Sequence, residues 1–91
     1  MSADSPVVMY STGWCPYCER ARALLRRKGV AFTEIRIDEE PAQREIMIRR
    51  SGGRRTVPQI FVGDEHLGGS DEIHALDREG RLDALLAAVD T

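Results

Sequence analysis

The stretch Trp14-Cys15-Pro16-Tyr17-Cys18 constrains this chain most, because it holds both of its cysteines. The apolar run Val7-Val8-Met9-Tyr10 before it reads as a buried strand. Glu19 to Lys28 after it reads as a helix, with Cys18, Ala21, Leu24 and Leu25 recurring at helical spacing. The thiols therefore fall on the turn from strand to helix, where unpaired N–H groups and the helix dipole point at the first sulfur. Two thiols so close in sequence can close a disulfide with each other and reopen it. That marks a redox pair rather than a staple between distant segments. Pro16 stands where a helix start tolerates a missing N–H.

Arg26, Arg27 and Lys28 suit the negative end of this helix, and Gly29 can cap it. The charge run from Arg20 to Lys28 reads as a solvated face. Ala31 to Ile37 reads as a second strand, with Phe32, Ile35 and Ile37 turned to the core. Asp38-Glu39-Glu40-Pro41 opens a second helix carrying Ile46, Met47 and Ile48, ending near Ser51-Gly52-Gly53. Thr56-Val57-Pro58 then leads into a strand from Gln59 to Val62, a turn at Gly63-Asp64, and a short strand from Glu65 to Gly68. Ser70 is the expected N-cap of a third helix, with Asp71 and Glu72 in its first turn. Leu82, Leu85, Leu86 and Val89 mark a last amphipathic helix after Gly80. The order is βαβ-α-ββ-α. A βαβ unit requires parallel strands joined by a right-handed crossover, and the hairpin adds an antiparallel half. The economical packing is an α/β fold of thioredoxin-like architecture, a four-stranded mixed sheet flanked by helices.

With 91 residues, the chain is expected to form one domain over 1–91, with 1–6 a loose lead-in. Its 42% apolar and 31% charged residues are ordinary for a soluble globular protein. A formal net charge of −2 argues for neither nucleic acid nor an acidic membrane as partner. Of its 13 basic residues only Lys28 is a lysine, so an anion site must use Arg or backbone donors. The first residues carry no basic signal-peptide region, and nothing approaches the ~20 apolar residues of a membrane span. The expected address is cytoplasmic, where a lone Cys-x-x-Cys is catalytic or metal-binding more often than structural.

Cys-Pro-Tyr-Cys, Thr56-Val57-Pro58 and Gly68-Gly69-Ser70-Asp71, in this order, resemble the motifs of dithiol glutaredoxins, most closely the small bacterial glutaredoxin 3 type. The likeness runs from about Val7 to Leu86. It implies a monomeric, glutathione-dependent thiol–disulfide oxidoreductase acting on glutathionylated or disulfide-bonded proteins. Glutathione is then the electron-donating co-substrate, and no cofactor stays bound. Cys15, at the helix start, is the expected nucleophile. Cys18, a turn later and more enclosed, is expected to keep its proton and resolve the mixed disulfide.

The resemblance also implies a glutathione site. Tyr17 matches the ring that lies along the bound tripeptide. Thr56 and Val57 lead into Pro58, whose peptide bond is cis in the family, and Val57 would offer its N–H and C=O to the cysteinyl part. Gly69, Ser70 and Asp71 would hold the γ-glutamyl end, its carboxylate on the Ser70 and Asp71 N–H groups and its ammonium on the Asp71 carboxylate. Many relatives have Lys three residues before the nucleophile, for the glycyl carboxylate. This chain has Thr12, and Arg55 matches an arginine that some relatives use instead, with Arg54 beside it. Trp14 suits core packing or a substrate-facing surface equally. Two other readings stay open: a redoxin recharged by thioredoxin reductase, against which Asp71 argues, and a module binding zinc or an iron–sulfur cluster. For zinc, the wide gap between His66 and His74 is unfavourable, and both read as satisfied surface histidines.

Overall fold

Alternation along the first strand divides the core in two. In the computed structural model, which describes residues 6–88, β1 (Val7–Ser11) turns Val7 and Met9 to one side of a sheet and Val8 and Tyr10 to the other. The expected lead-in lies outside the described residues except for Pro6, and so does Val89. The chain continues through α1 (Pro16–Arg27), β2 (Thr33–Arg36), α2 (Ala42–Arg50), β3 (Gln59–Val62), β4 (Glu65–Gly68), α3 (Ser70–Arg78) and α4 (Leu82–Ala88). The sheet has four strands in the order β2-β1-β3-β4. β1 runs parallel to β2 and antiparallel to β3, and β3 is antiparallel to β4. This is the expected mixed sheet. Its last segment is two helices, because the Gly80 and Arg81 N–H groups bond back to the Asp77 and Leu76 carbonyls and close α3.

On one face, Val7, Met9, Ile60 and Val62 pack with Ala21, Leu24 and Leu25 of α1, Ile73 of α3, and Leu82 and Leu86 of α4. On the other, Tyr10 and Phe61 pack with Ile37 and with Met47 of α2. The Tyr10 and Phe61 rings meet edge to face at 5.7 Å. Over them lies Arg50, with its guanidinium carbon 4.2 Å from the Phe61 ring centroid, donating to the Tyr10 hydroxyl at 3.0 Å and to the Gly63 carbonyl at 3.2 Å.

β2 is shorter than the expected Ala31–Ile37 and half-buried throughout, as suits an edge strand. Phe32 and Ile37 lie outside it but still reach the core. The face of α1 is also less solvated than its charge run implies. Arg22 is buried, held by both carboxylate oxygens of Glu34 and by Glu19, while the Ser11 hydroxyl donates to Glu34. β4 holds one more residue than its partner between the pairs Ile60–Gly68 and Phe61–His66, a bulge at Leu67. The bulge brings Gly68, with φ of 111°, directly under α3.

Candidate active site

α1 begins at Pro16, which makes Cys15 its N-cap. The Cys15 backbone is extended, with φ −164° and ψ 113°, and its Sγ accepts the Cys18 N–H at 3.4 Å. Sulfur here takes the place of the oxygen that Ser or Asp brings to a helix start. The Cys15 Sγ also lies 3.9 Å from the Val57 carbonyl oxygen, to which its thiol can donate. Cys15 is half-buried and Cys18 fully buried, and both are free thiols. Burial pushes the Cys18 thiol up to about 12, and the neighbouring Cys15 reinforces the rise, while the Thr12 backbone and Arg22 pull against it. One sulfur is therefore open to attack a substrate, and the other is kept protonated beneath it.

Beside Cys15 opens a groove of about 240 Å³ between the loop before β3 and the start of α3. Tyr17 forms one wall, and Thr56, Val57 and Pro58 form another. The Val57–Pro58 peptide bond is cis. Gly69, Ser70 and Asp71 close the groove at the N-terminus of α3, where the first N–H groups have no intrahelical partner. Ser70 is the first helical residue and Gly69 the N-cap, one position earlier than expected. Glu72 explains the shift: its carboxylate reaches back to the Gly69 N–H, while the Ser70 hydroxyl faces the His74 ring.

The loop before β3 is held from beneath. Buried Gln59 donates through Nε2 to the Thr56 carbonyl at 3.0 Å and turns its Oε1 to His66 Nε2 at 2.6 Å. Gln59 thereby selects the His66 tautomer with the proton on Nε2. Burial, and then Arg54, hold His66 below its usual range. Both histidines are half-buried and hydrogen-bonded rather than surface groups, His74 Nδ1 facing the Ser70 carbonyl at 2.7 Å. Among the described residues, no group of three or more His, Cys, Asp or Glu is placed to hold a metal ion.

The Glutaredoxin family model matches residues 7–67. The chain belongs to the glutaredoxin family. It is 57% identical over 83 residues to the glutaredoxin of Pseudomonas aeruginosa, a match covering 91% of this chain and 98% of that one. To glutaredoxin 3 of Escherichia coli it is 56% identical over 80 residues, covering 88% and 95%. Among solved structures, the buckwheat glutaredoxin–glutathione complex superposes with a TM-score of 0.86 at 32% identity, covering 93% of this chain and 79% of that one. The fold is thioredoxin-like, and this glutaredoxin is in general terms a thiol–disulfide oxidoreductase.

The two arginines before Thr56 are placed differently. Arg54 lines the groove and pairs with Glu72 at 3.4 Å, whereas Arg55, exposed like Arg54, is outside the lining. Trp14 is 85% exposed, which excludes core packing. A further residue was not visible in the motifs. Asp38, expected to help open α2, instead accepts the Gly13 N–H at 3.1 Å and both arms of Arg36, at 2.9 and 2.8 Å. Arg36 holds Asp38 down at about 2, with the Gly13 N–H adding to the effect. A Cβ at Gly13 would stand 2.1 Å from Arg36 Nη2, so a larger residue there would require the Arg36 guanidinium to shift. No helix among the described residues is long and apolar enough to cross a membrane.

Proposed function

We propose that this protein reduces protein–glutathione mixed disulfides and protein disulfides in the cytoplasm, as a monomer, using glutathione as electron donor and keeping no bound cofactor. One observation carries the reading: the attacking sulfur lies at the rim of a groove whose far end is a helix N-terminus. A tripeptide thiol placed there would present its sulfur to Cys15, lay its cysteinyl amide along Val57, and set its γ-glutamyl carboxylate on the Ser70 and Asp71 N–H groups. The Asp71 carboxylate would meet the adjacent ammonium, and Tyr17 would cover the chain. Arg54 takes the role that the sequence reading gave to Arg55. The buckwheat relative, solved as a glutathione complex, supports glutathione as the ligand.

With a glutathionylated protein, the Cys15 thiolate attacks the glutathione sulfur. A Cys15–glutathione disulfide forms, the protein–glutathione bond breaks, and the protein thiolate leaves and takes a proton. A second glutathione thiolate attacks the glutathione sulfur on Cys15, giving glutathione disulfide and restoring the Cys15 thiolate. With a protein disulfide, Cys15 is first joined to one protein sulfur while the other leaves. Cys18 then attacks Cys15, passing its proton to the departing second thiolate. This order is favourable, because a Cys15 already in a disulfide no longer holds the Cys18 proton by its charge or hydrogen bond. Two glutathiones reduce the Cys15–Cys18 disulfide and emerge as glutathione disulfide.

The test is turnover coupled to glutathione and glutathione reductase, with Cys15→Ser and Cys18→Ser variants. Cys15→Ser is expected to be inactive on both substrate types. Cys18→Ser should keep deglutathionylation and lose protein-disulfide reduction. Activity with thioredoxin reductase and none with glutathione would overturn the proposal.

A further inference from the structure

Trp14 and Tyr17 are the exposed large hydrophobic residues among the described residues, at 85% and 53%, and they flank Cys15 and Pro16. Tyr17 has an occupation, since it walls the groove and carries Arg20 over its ring at 5.5 Å. Trp14 has none. Its indole N–H has no acceptor and its ring no partner among the described residues, and it lies outside the groove lining. Yet both of its chain neighbours are anchored. The Gly13 N–H is held by Asp38, the Trp14 carbonyl accepts the Thr12 hydroxyl at 3.5 Å, and Cys15 caps α1. A large apolar side chain offered to solvent on a fixed backbone is the form of a preorganised contact.

The position of Trp14 indicates what it contacts. Cys15 faces Val57, on the β3 side, where the groove begins, while Gly13 is tied to Asp38, just after the edge strand β2. Trp14 stands between these two anchored residues in the chain, beside Cys15 and outside the groove lining. A mixed disulfide has two halves. If glutathione fills the groove, as proposed above and as this inference assumes, the protein half leaves over Trp14. We propose that Trp14 is the specificity-determining contact for that half, packing against an apolar side chain next to the substrate cysteine. Tryptophan is enriched at such contacts because it buries a large area with few rotamers.

The experiment compares two glutathionylated peptides, one with leucine on both sides of its cysteine and one with glycine, and the mixed disulfide of cysteine and glutathione. Trp14→Ala should raise KM about tenfold for the leucine peptide and leave the other two substrates unchanged. Trp14→Phe should recover most of the loss. A second readout needs no glutathione. Cys18→Ser protein is joined at Cys15 to either peptide activated as a thiopyridyl disulfide, the attack releasing the pyridyl thiol. Trp14 is the chain's one tryptophan, so its emission should shift to the blue with the leucine peptide and stay in place with the glycine peptide. An equal loss on all three substrates, no loss on any, or unmoved emission would overturn the inference. A failure of the wild type to use any glutathione disulfide, with the blue shift intact, would sink the glutathione reading and leave the Trp14 contact standing.

Discussion

The two thiols differ by one turn of helix and by everything around them. Cys18 lies in the core with its proton held up to about 12 by burial, while Cys15 reaches the surface. Alkylation by iodoacetamide, followed by mass spectrometry, should therefore label Cys15 in preference to Cys18. The Cys18 rate should rise only as pH climbs toward 12, the range where a raised acid gives up its proton. This contrast in burial was legible, because spacing and the strand–helix turn set it. The choice between Arg54 and Arg55 was not. Adjacent residues of an irregular loop point differently, and here the Ser51 hydroxyl decides, bonding both the Arg54 N–H and the Arg54 carbonyl at 3.1 Å. Ser51 is buried seven positions before Pro58 and belongs to no motif. Arg54→Ala should raise KM for glutathione roughly tenfold, about 1.4 kcal/mol, the scale of one charge-assisted hydrogen bond. Arg55→Ala should leave it near wild type, and the reverse order would restore the sequence-based assignment.

Among the elements, the bounds of β3 and β4 were read to the residue, since the Gly63-Asp64 turn separates them, but the bulge at Leu67 was not. The start of α3 was misread by one position. Ser70 is a good cap by type, but Glu72 reaches the Gly69 N–H first, and the bulge at Leu67 makes room for it. The same crowding governs Gly68. A Cβ there would stand 2.7 Å from the Glu72 Cβ on a backbone with φ of 111°. Gly68→Ala should cost about 1–3 kcal/mol in urea unfolding and weaken glutathione binding, because Glu72 cannot move without releasing both Gly69 and Arg54. A variant with wild-type stability and affinity would show that the start of α3 gives way freely. Glu72 also sets a sign. The Gly69 N–H, more than Arg54, holds its carboxyl below the usual 4.5, so its contribution is complete above that pH and fades as pH falls.

Taken as a whole, the molecule is two unequal cores on one sheet, and the parallel β1–β2 pair followed from the βαβ unit, whereas the place of the hairpin beside β1 did not. What could not be read was the polar girder along the β1–β2 edge. Arg22 resembles its exposed neighbours in sequence, and only the partners Glu34, Glu19 and Ser11, brought together by folding, reveal that it is buried. Arg22 holds the Glu34 carboxyl below 4.5, so this stabilisation is present above pH 4.5 and is lost as acid is added. Glu34→Gln should lower stability at pH 7 by about 2 kcal/mol and flatten the dependence on pH below 4.5. An equally steep acid limb in the variant would assign it to other carboxylates.

Arg50 secures the smaller core by a different means. It rests on the Phe61 ring and donates to a hydroxyl and a carbonyl, with no carboxylate opposite it among the described residues. Dissolved sodium chloride screens exposed pairs such as Lys28 with Asp83, but it has little purchase on a cation seated against aromatic rings. The α2 side of the sheet should therefore stay closed in brine, and any loosening should begin at the helix ends on the opposite side.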